Sequence, residues 1–396
     1  MRSAWAADIE KFAPQLTYSI ASAEQREDAF QLATDVVILN TDGVKWLESK
    51  AGRKYLKDFD HLIVDEGTAF KHASSQRTKA MMKLRSAFTH RYLLTGTPNP
   101  NSVTELWAPT LIVDDGQRLG TSFSRFRNST QVPEQIGPGI NHIRWVDQPG
   151  IAAAVDVLIS DITIRHAFED VMTHVPANHR DTKRFTLNKK TKAIYDKLEH
   201  EAVVALQENV VSAVHAASLR TKLLQVASGA VYAGDEDGKY EVVDRQRYDL
   251  IADLVDERDH SVVFFNWRHQ RDELAATFDK RSVSFAVIDG SVPQRERDRI
   301  VADYQDGKYQ TLLLHPRTGA HGLTLTRGTT TIIASPIYEA DLLKQAVHRV
   351  YRGDQKKTTN TILVCASDTV EEKVYAKLFD KEARMTDLLD LLETKA

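Results

Sequence analysis

Short apolar runs rich in β-branched side chains recur along the chain, separated by segments of helical periodicity. Asp35–Asn40 (DVVILN), His61–Asp65 (HLIVD) and Arg91–Thr95 (RYLLT) predict three buried strands. Helices are predicted over Lys45–Leu56 and Lys79–Ala87, and residues 1–35 read as helix and loop. The same rhythm returns later. Strands are predicted over Ser261–Phe265, Ser284–Ile288, Thr311–His315, Thr330–Ala334 and Thr361–Cys365. Helices over Arg247–Arg258, His269–Phe278, Gln294–Tyr304 and Asp341–Tyr351 alternate with them, and a C-terminal helix follows. Strands alternating with helices predict parallel sheets and an α/β fold class. Ligands in such sheets sit at the carboxyl ends of strands, which singles out Asp65, Glu66, Thr95 and Thr97.

Between the two series the rhythm is lost. Gln131–Gly150 is rich in Pro, Gly and Asn and reads as loop, residues 188–227 read as helix, and Ala233–Lys239 (AGDEDGK) is a turn-rich break. The predicted organisation is a first α/β lobe over 1–109, a helical connector over 110–244 and a second α/β lobe over 245–396.

Composition narrows the function classes. The 42% hydrophobic and 27% charged content is that of a globular protein, and 396 residues suffice for two or three domains. The net charge of −3 gives no global basic field, so nucleic-acid binding would need a local groove. One cysteine, Cys365, excludes an intramolecular disulfide framework and a cysteine-based zinc site, and it suits a reducing cytoplasm. No run of about 18 apolar residues predicts a membrane span. The opening MRSAWAADIEKFAP carries acids and lacks the apolar stretch of a signal peptide.

Four stretches carry candidate chemistry. Asp65-Glu66-Gly67-Thr68 ends an apolar strand. There Asp65 can hold Mg²⁺, with Glu66 beside it as a second carboxylate and as general base for an attacking water. Alone, such a pair is as often a surface feature. Leu93–Asn99 (LLTGTPN) offers Thr95 and Thr97 as hydroxyls for a terminal phosphate, and it is also good turn chemistry. In His315–Leu325 (HPRTGAHGLTL), Gly319 and Gly322 would let backbone approach a phosphate, or simply form a turn. In Gln345–Gln355 (QAVHRVYRGDQ), helical spacing places Gln345, Arg349 and Arg352 on one face, where two guanidinium forks suit a triphosphate. A solvated basic helix end is the plainer alternative. No His, Cys or carboxylate spacing predicts zinc, and no serine elbow predicts a hydrolase of that kind.

Taken together, the series resembles the Swi/Snf-type branch of the superfamily-two helicase-like ATPases. DEGT resembles its Walker B box, and LLTGTPNPNSVTELW the box that follows. ILNTDGVKWL resembles the nucleic-acid-facing segment upstream, and Ile164–Pro176 (IRHAFEDVMTHVP) the joint between lobes. IDGSVPQRERDRIVADYQDG, HPRTGAHGLTLT and QAVHRVYRGDQ resemble the second-lobe motifs in family order, in a form similar to small bacterial and bacteriophage members. The resemblance implies two RecA-like lobes with ATP between them, Mg²⁺ positioned by Asp65, and water activated by Glu66. It implies Arg349 and Arg352 as arginine fingers, worth ~10³–10⁵ in rate where measured. It also implies a helicase or translocase acting on double-stranded DNA.

Three positions depart from the family pattern. Thr68 stands where His is usual, and Tyr351 and Asp354 replace the usual His and Ile-Gly. A larger departure is that no G-x-x-x-x-G-K-[ST] phosphate loop occurs in the 396 residues. The expectation is a first lobe incomplete at its N-terminus, with apolar sheet edge exposed. Two alternatives follow: a split enzyme whose phosphate loop comes from an upstream-encoded segment, and a non-catalytic DNA-binding remnant.

Overall fold

The apolar runs pair as parallel strands within two units that divide between His166 and Ala167. The structure is a computed structural model. It describes all residues except 1, 97–101, 136–142, 167, 208–212, 233–238, 320–322 and 381–396.

In the first unit, β1 (Tyr18–Ala21) pairs with β2 (Val36–Leu39) in parallel, Ile20 opposite Ile38. β1 lies in the stretch expected to be helix and loop. Four residues carry too little periodicity to be recognised, and the pairing with β2 decides their state. β3 (His61–Val64) pairs with β4 (His90–Leu93), again in parallel. The two pairs remain separate two-stranded sheets. The helices Val44–Glu48 and Gln76–Leu84 bury Val44, Leu47, Met81 and Leu84 with Val64 and Phe70. The opposite face of β3–β4 is open. Ile63 and Tyr92, partners in register, are 54% and 50% exposed. His61 stacks on His90 and Tyr92 with ring centroids 4.5 and 6.2 Å apart. A second apolar cluster joins Leu106, Trp107 and Leu111 to Phe126, Val155 and Ile159.

The segment expected as loop over 131–150 contains an antiparallel hairpin, β5 (Gln131–Gln135) with β6 (Ile143–Asp147). Its base is fixed by Asp147, whose carboxylate accepts from Ser102 Oγ at 2.8 Å, Val103 N at 3.0 Å and Gln131 Nε2 at 2.8 Å. The composition reads as loop; the long-range carboxylate contacts stabilise strand.

The second unit holds β7 (Asn178–Phe185), a short antiparallel hairpin of β8 (Ala230–Tyr232) and β9 (Tyr240–Val242), and β10 (Ser261–Phe264). β11 (Phe285–Ile288), β12 (Thr311–Leu314), β13 (Thr330–Ile333) and β14 (Thr359–Ala366) follow. Six of these form one parallel sheet in the order β11-β12-β10-β13-β14-β7. Every residue of β10, β12 and β13 is buried, as a parallel sheet covered on both faces requires. One face packs Tyr248, Ile251, Val255, Leu274 and Phe278 on Val263, Leu313 and Ile332. The other packs Ile300, Tyr304, Leu343 and Ala346 on Val262, Leu312, Leu314 and Ile333. β7 departs from the expected helical connector: its polar sequence, NHRDTKRF, becomes an edge strand because β14 supplies a continuous parallel ladder. The helices Lys189–Gln207 and Ala213–Ala227 fall where helix was expected.

Two buried polar groups tie this unit together. Arg247 Nη2 donates to both carboxylate oxygens of Glu371 at 2.7 Å and to the Ala227 carbonyl at 3.0 Å. His269 lies between Ser228 and Tyr232: its Nε2 is 2.8 Å from Ser228 Oγ and its Nδ1 is 3.0 Å from the Tyr232 hydroxyl. Ser228 Oγ donates to the Gln225 carbonyl at 2.8 Å, so its proton is committed and the imidazole donates from Nε2. Burial pushes this imidazole down to about 3, so it is held neutral. Among the described residues, no helix is long and apolar enough to cross a membrane.

Candidate functional site

Asp65 and Glu66 stand at the carboxyl end of β3, where the α/β pattern places them. Both are half-buried. One Asp65 oxygen accepts from the Trp5 indole at 2.9 Å, and the other accepts from the Glu66 amide at 2.9 Å. Trp5 belongs to the helix Arg2–Phe12 and lies 60 positions away in sequence, so no local signal identifies it as the residue that orients Asp65. Glu66 adopts a left-handed conformation, φ 53° and ψ 55°. For a non-glycine residue this costs on the order of 1–3 kcal/mol and persists only where neighbours impose it. Here Gly67 N–H donates to the Leu94 carbonyl at 2.8 Å and Ala69 N–H to the Glu66 carbonyl at 2.9 Å. Gly67 itself is needed for packing: a Cβ there would lie 2.1 Å from Leu93 Cδ2.

The Gly67–Leu94 bond brings the acidic pair beside the end of β4, next to Thr95, which is half-buried. Thr97 lies outside the described residues. Asp65 and Glu66 supply hard carboxylate oxygens of the kind Mg²⁺ takes. Among the described residues, no cluster of three His, Cys, Asp or Glu is poised for a metal.

The other candidate residues lie in the second unit. The helix Ala340–Val347 ends before the arginines, which corrects the reading of Gln345, Arg349 and Arg352 as one helical face. Gln345 is in its last turn; Arg349 and Arg352 follow in consecutive tight turns, with Arg349 N–H on the Ala346 carbonyl at 3.2 Å and Tyr351 N–H on Val347 at 3.0 Å. The turns bring both guanidiniums to one acceptor. Arg349 Nη1 and Arg352 Nη1 lie 3.3 and 3.5 Å from the Leu323 carbonyl. Arg349 is only 8% exposed; Arg352 is half-buried. Gln355 pins the end of the segment, its buried amide donating to the carbonyls of Thr326, Gly328 and Val350 at 3.0–3.1 Å. A glutamine closing a polar motif gives no sign in sequence of such burial.

Gly319 closes a single helical turn, Pro316–Gly319, and its N–H donates to the His315 carbonyl at 2.8 Å. A Cβ there would sit 3.1 Å from the Phe264 ring. Close packing on β10 accounts for the glycine, and its amide is already engaged. Gly322 lies outside the described residues.

The parallel α/β architecture, the acids at a strand end and the paired-arginine turn are the features to set beside known families. The profile of the SNF2-related domain matches residues 1–228, and that of the helicase conserved C-terminal domain matches residues 246–354. The chain belongs to the SNF2-related family of helicase-like ATPases. It is 27% identical over 390 residues to protein p41 of Acyrthosiphon pisum secondary endosymbiont phage 1, covering 95% of this chain and 82% of that one. It is 22% identical over 465 residues to the ATP-dependent helicase FUN30 of Saccharomyces cerevisiae, covering 94% of this chain and 40% of that one. The chain thus spans well under half of that relative. Among solved structures, the Sulfolobus solfataricus SWI2/SNF2 ATPase core in complex with dsDNA matches with a TM-score of 0.44 and 20% identity, over 98% of this chain and 79% of that one.

Proposed function

We propose that this chain carries the hydrolytic acids and the arginines of a DNA-dependent ATPase that moves on double-stranded DNA as a helicase or translocase. The observation that carries the reading is Glu66, held in a strained left-handed conformation beside Asp65 at a parallel strand end. Strain of this kind concentrates where a side chain must be aimed. Membership of the SNF2-related family supports the ATPase assignment.

In this reading Asp65, oriented by Trp5, would hold Mg²⁺ through its carboxylate, and the ion would supply charge neutralisation at the phosphates of ATP. Glu66 accepts the proton of the attacking water. Thr95 and Thr97 sense the terminal phosphate, Gln345 contacts the nucleotide, and Arg349 and Arg352 neutralise developing charge. The phosphates also need a cradle of backbone N–H groups, and no such loop is encoded in the 396 residues. In this reading a segment outside these residues would supply that cradle.

ATP turnover by the purified chain, with and without duplex DNA and with and without that segment, tests the reading. DNA-stimulated turnover is expected with the segment present, and Glu66→Gln is expected to lower it by ~10²–10⁴-fold. Turnover that survives Glu66→Gln overturns the assignment of Glu66. An absence of turnover under every condition, with duplex binding that weakens as salt rises, favours the DNA-binding remnant.

A further inference from the structure

The arginines of the second unit are not oriented by a helix of their own, since the helix ends at Val347. They sit in tight turns, and a separate stretch of chain lies against those turns. That stretch is residues 168–178, the first part of the second unit after the division at His166.

Its contacts are specific. The Phe168 ring lies 5.0 Å, centroid to centroid, from both His348 and Tyr351, the residues that precede Arg349 and Arg352. His348 Nδ1 lies 3.2 Å from the Tyr351 carbonyl, so the two aromatic side chains and the turn they close form one body. Met172 crosses Gly353 so closely that a Cβ there would sit 3.2 Å from the thioether sulfur. His174 donates from Nε2 to the Gly353 carbonyl at 3.0 Å. Beyond this the stretch is anchored to β14: Thr359 N–H donates to the Ala177 carbonyl at 3.0 Å, and Thr359 Oγ1 to Asn178 Oδ1 at 2.9 Å. The arginine turn is thus contacted both by Phe168 and by Gln355.

We propose that residues 168–174 act as a strap that positions Arg349 and Arg352, with Phe168 and His174 as its positioning residues. The proposal rests on the role given above to the two arginines. Three side chains of this stretch, Phe168, Met172 and His174, converge on the segment that carries the two arginines.

Hydrogen exchange on the full chain tests the strap independently of turnover. Phe168→Ala is expected to speed exchange of the amides in 345–355 by about tenfold while β10, β12 and β13 stay protected. Phe168→Tyr is expected to restore slow exchange. His174→Ala is expected to give a smaller local effect, and it serves if Phe168→Ala fails to fold. Unchanged exchange in 345–355, or loss of protection across the whole sheet, overturns the proposal. In an actively hydrolysing preparation, Phe168→Ala should lower kcat about tenfold with KM for ATP within about twofold, the pattern of a lost transition-state interaction. A rise in KM at constant kcat overturns the positioning role. A chain with no turnover under any condition defeats the hydrolysis reading, and the exchange result still decides the strap.

Discussion

The two units use the same element types and reach different degrees of completion. In the second, six parallel strands lie in one sheet with three of them buried along their full length. In the first, four short parallel strands form two separate pairs, and Ile63 and Tyr92 lie open on one face. Parallel sheets are normally covered on both faces, and two-stranded sheets are marginal by themselves. The stability of the first unit therefore comes from its helices and from apolar clusters such as that around Trp107, Leu111 and Phe126. An apolar strand pattern thus specifies a strand and leaves open how much sheet surrounds it.

Glu371→Ala should have the largest effect on stability, and only in the second unit. Removing the carboxylate leaves Arg247 buried without its ion-pair partner, a loss of about 3–5 kcal/mol. Urea melts followed by hydrogen exchange should show β10 and β13 losing protection while β3 and β4 keep theirs. Equal loss in both units would break the comparison.

Acid should then separate the units by sign. His269 has its folded-state value pushed down by burial to about 3, below its ordinary 6.5. The unfolded chain binds the proton more readily, so this contribution is complete above pH 6.5 and is lost as pH falls toward 3. It amounts to about 3–5 kcal/mol. In the first unit Asp156 is only 5% exposed, one of its oxygens is buried without a partner, and burial pushes its carboxyl up to about 6. Here the folded state binds the proton more readily. The contribution is complete below about pH 4 and is lost as pH rises through 6. Asp156→Asn should therefore stabilise the first unit by about 1–3 kcal/mol at pH 7 and by little at pH 4. Exchange rates corrected for their intrinsic pH dependence would check both slopes; slopes of the same sign would refute the assignment.

The smallest effect is expected at the open face. Ile63→Ala should cost under about 0.5 kcal/mol. Val263→Ala, on fully buried β10, should cost about 1–3 kcal/mol. A large loss at Ile63 would mean that this face is covered in solution, and a thermal melt of each variant distinguishes the cases.

The candidate site residues stand out in the sequence because each motif is local. Asp65 and Glu66 follow an apolar run, and Arg349 and Arg352 fall within one short motif. Their supports were not legible. Trp5 reaches Asp65 across 60 positions, Phe168 reaches Tyr351 across nearly half the chain, and Gln355 is buried inside a motif whose composition is polar. Helical spacing also overextended the arginine helix, since periodicity does not register a helix that gives way to tight turns after Val347.

By itself the sequence determined the α/β class, most of the strands, the order of the motifs and the candidate site residues. These follow from side-chain period and residue type, which are properties of neighbouring positions. Tertiary structure alone decided that β1 and β7 are strands, that residues 131–147 contain a hairpin, and that Glu66 is held in a left-handed turn. Those outcomes depend on hydrogen-bond partners supplied by distant segments, and the free energy that selects them appears only when the partners meet.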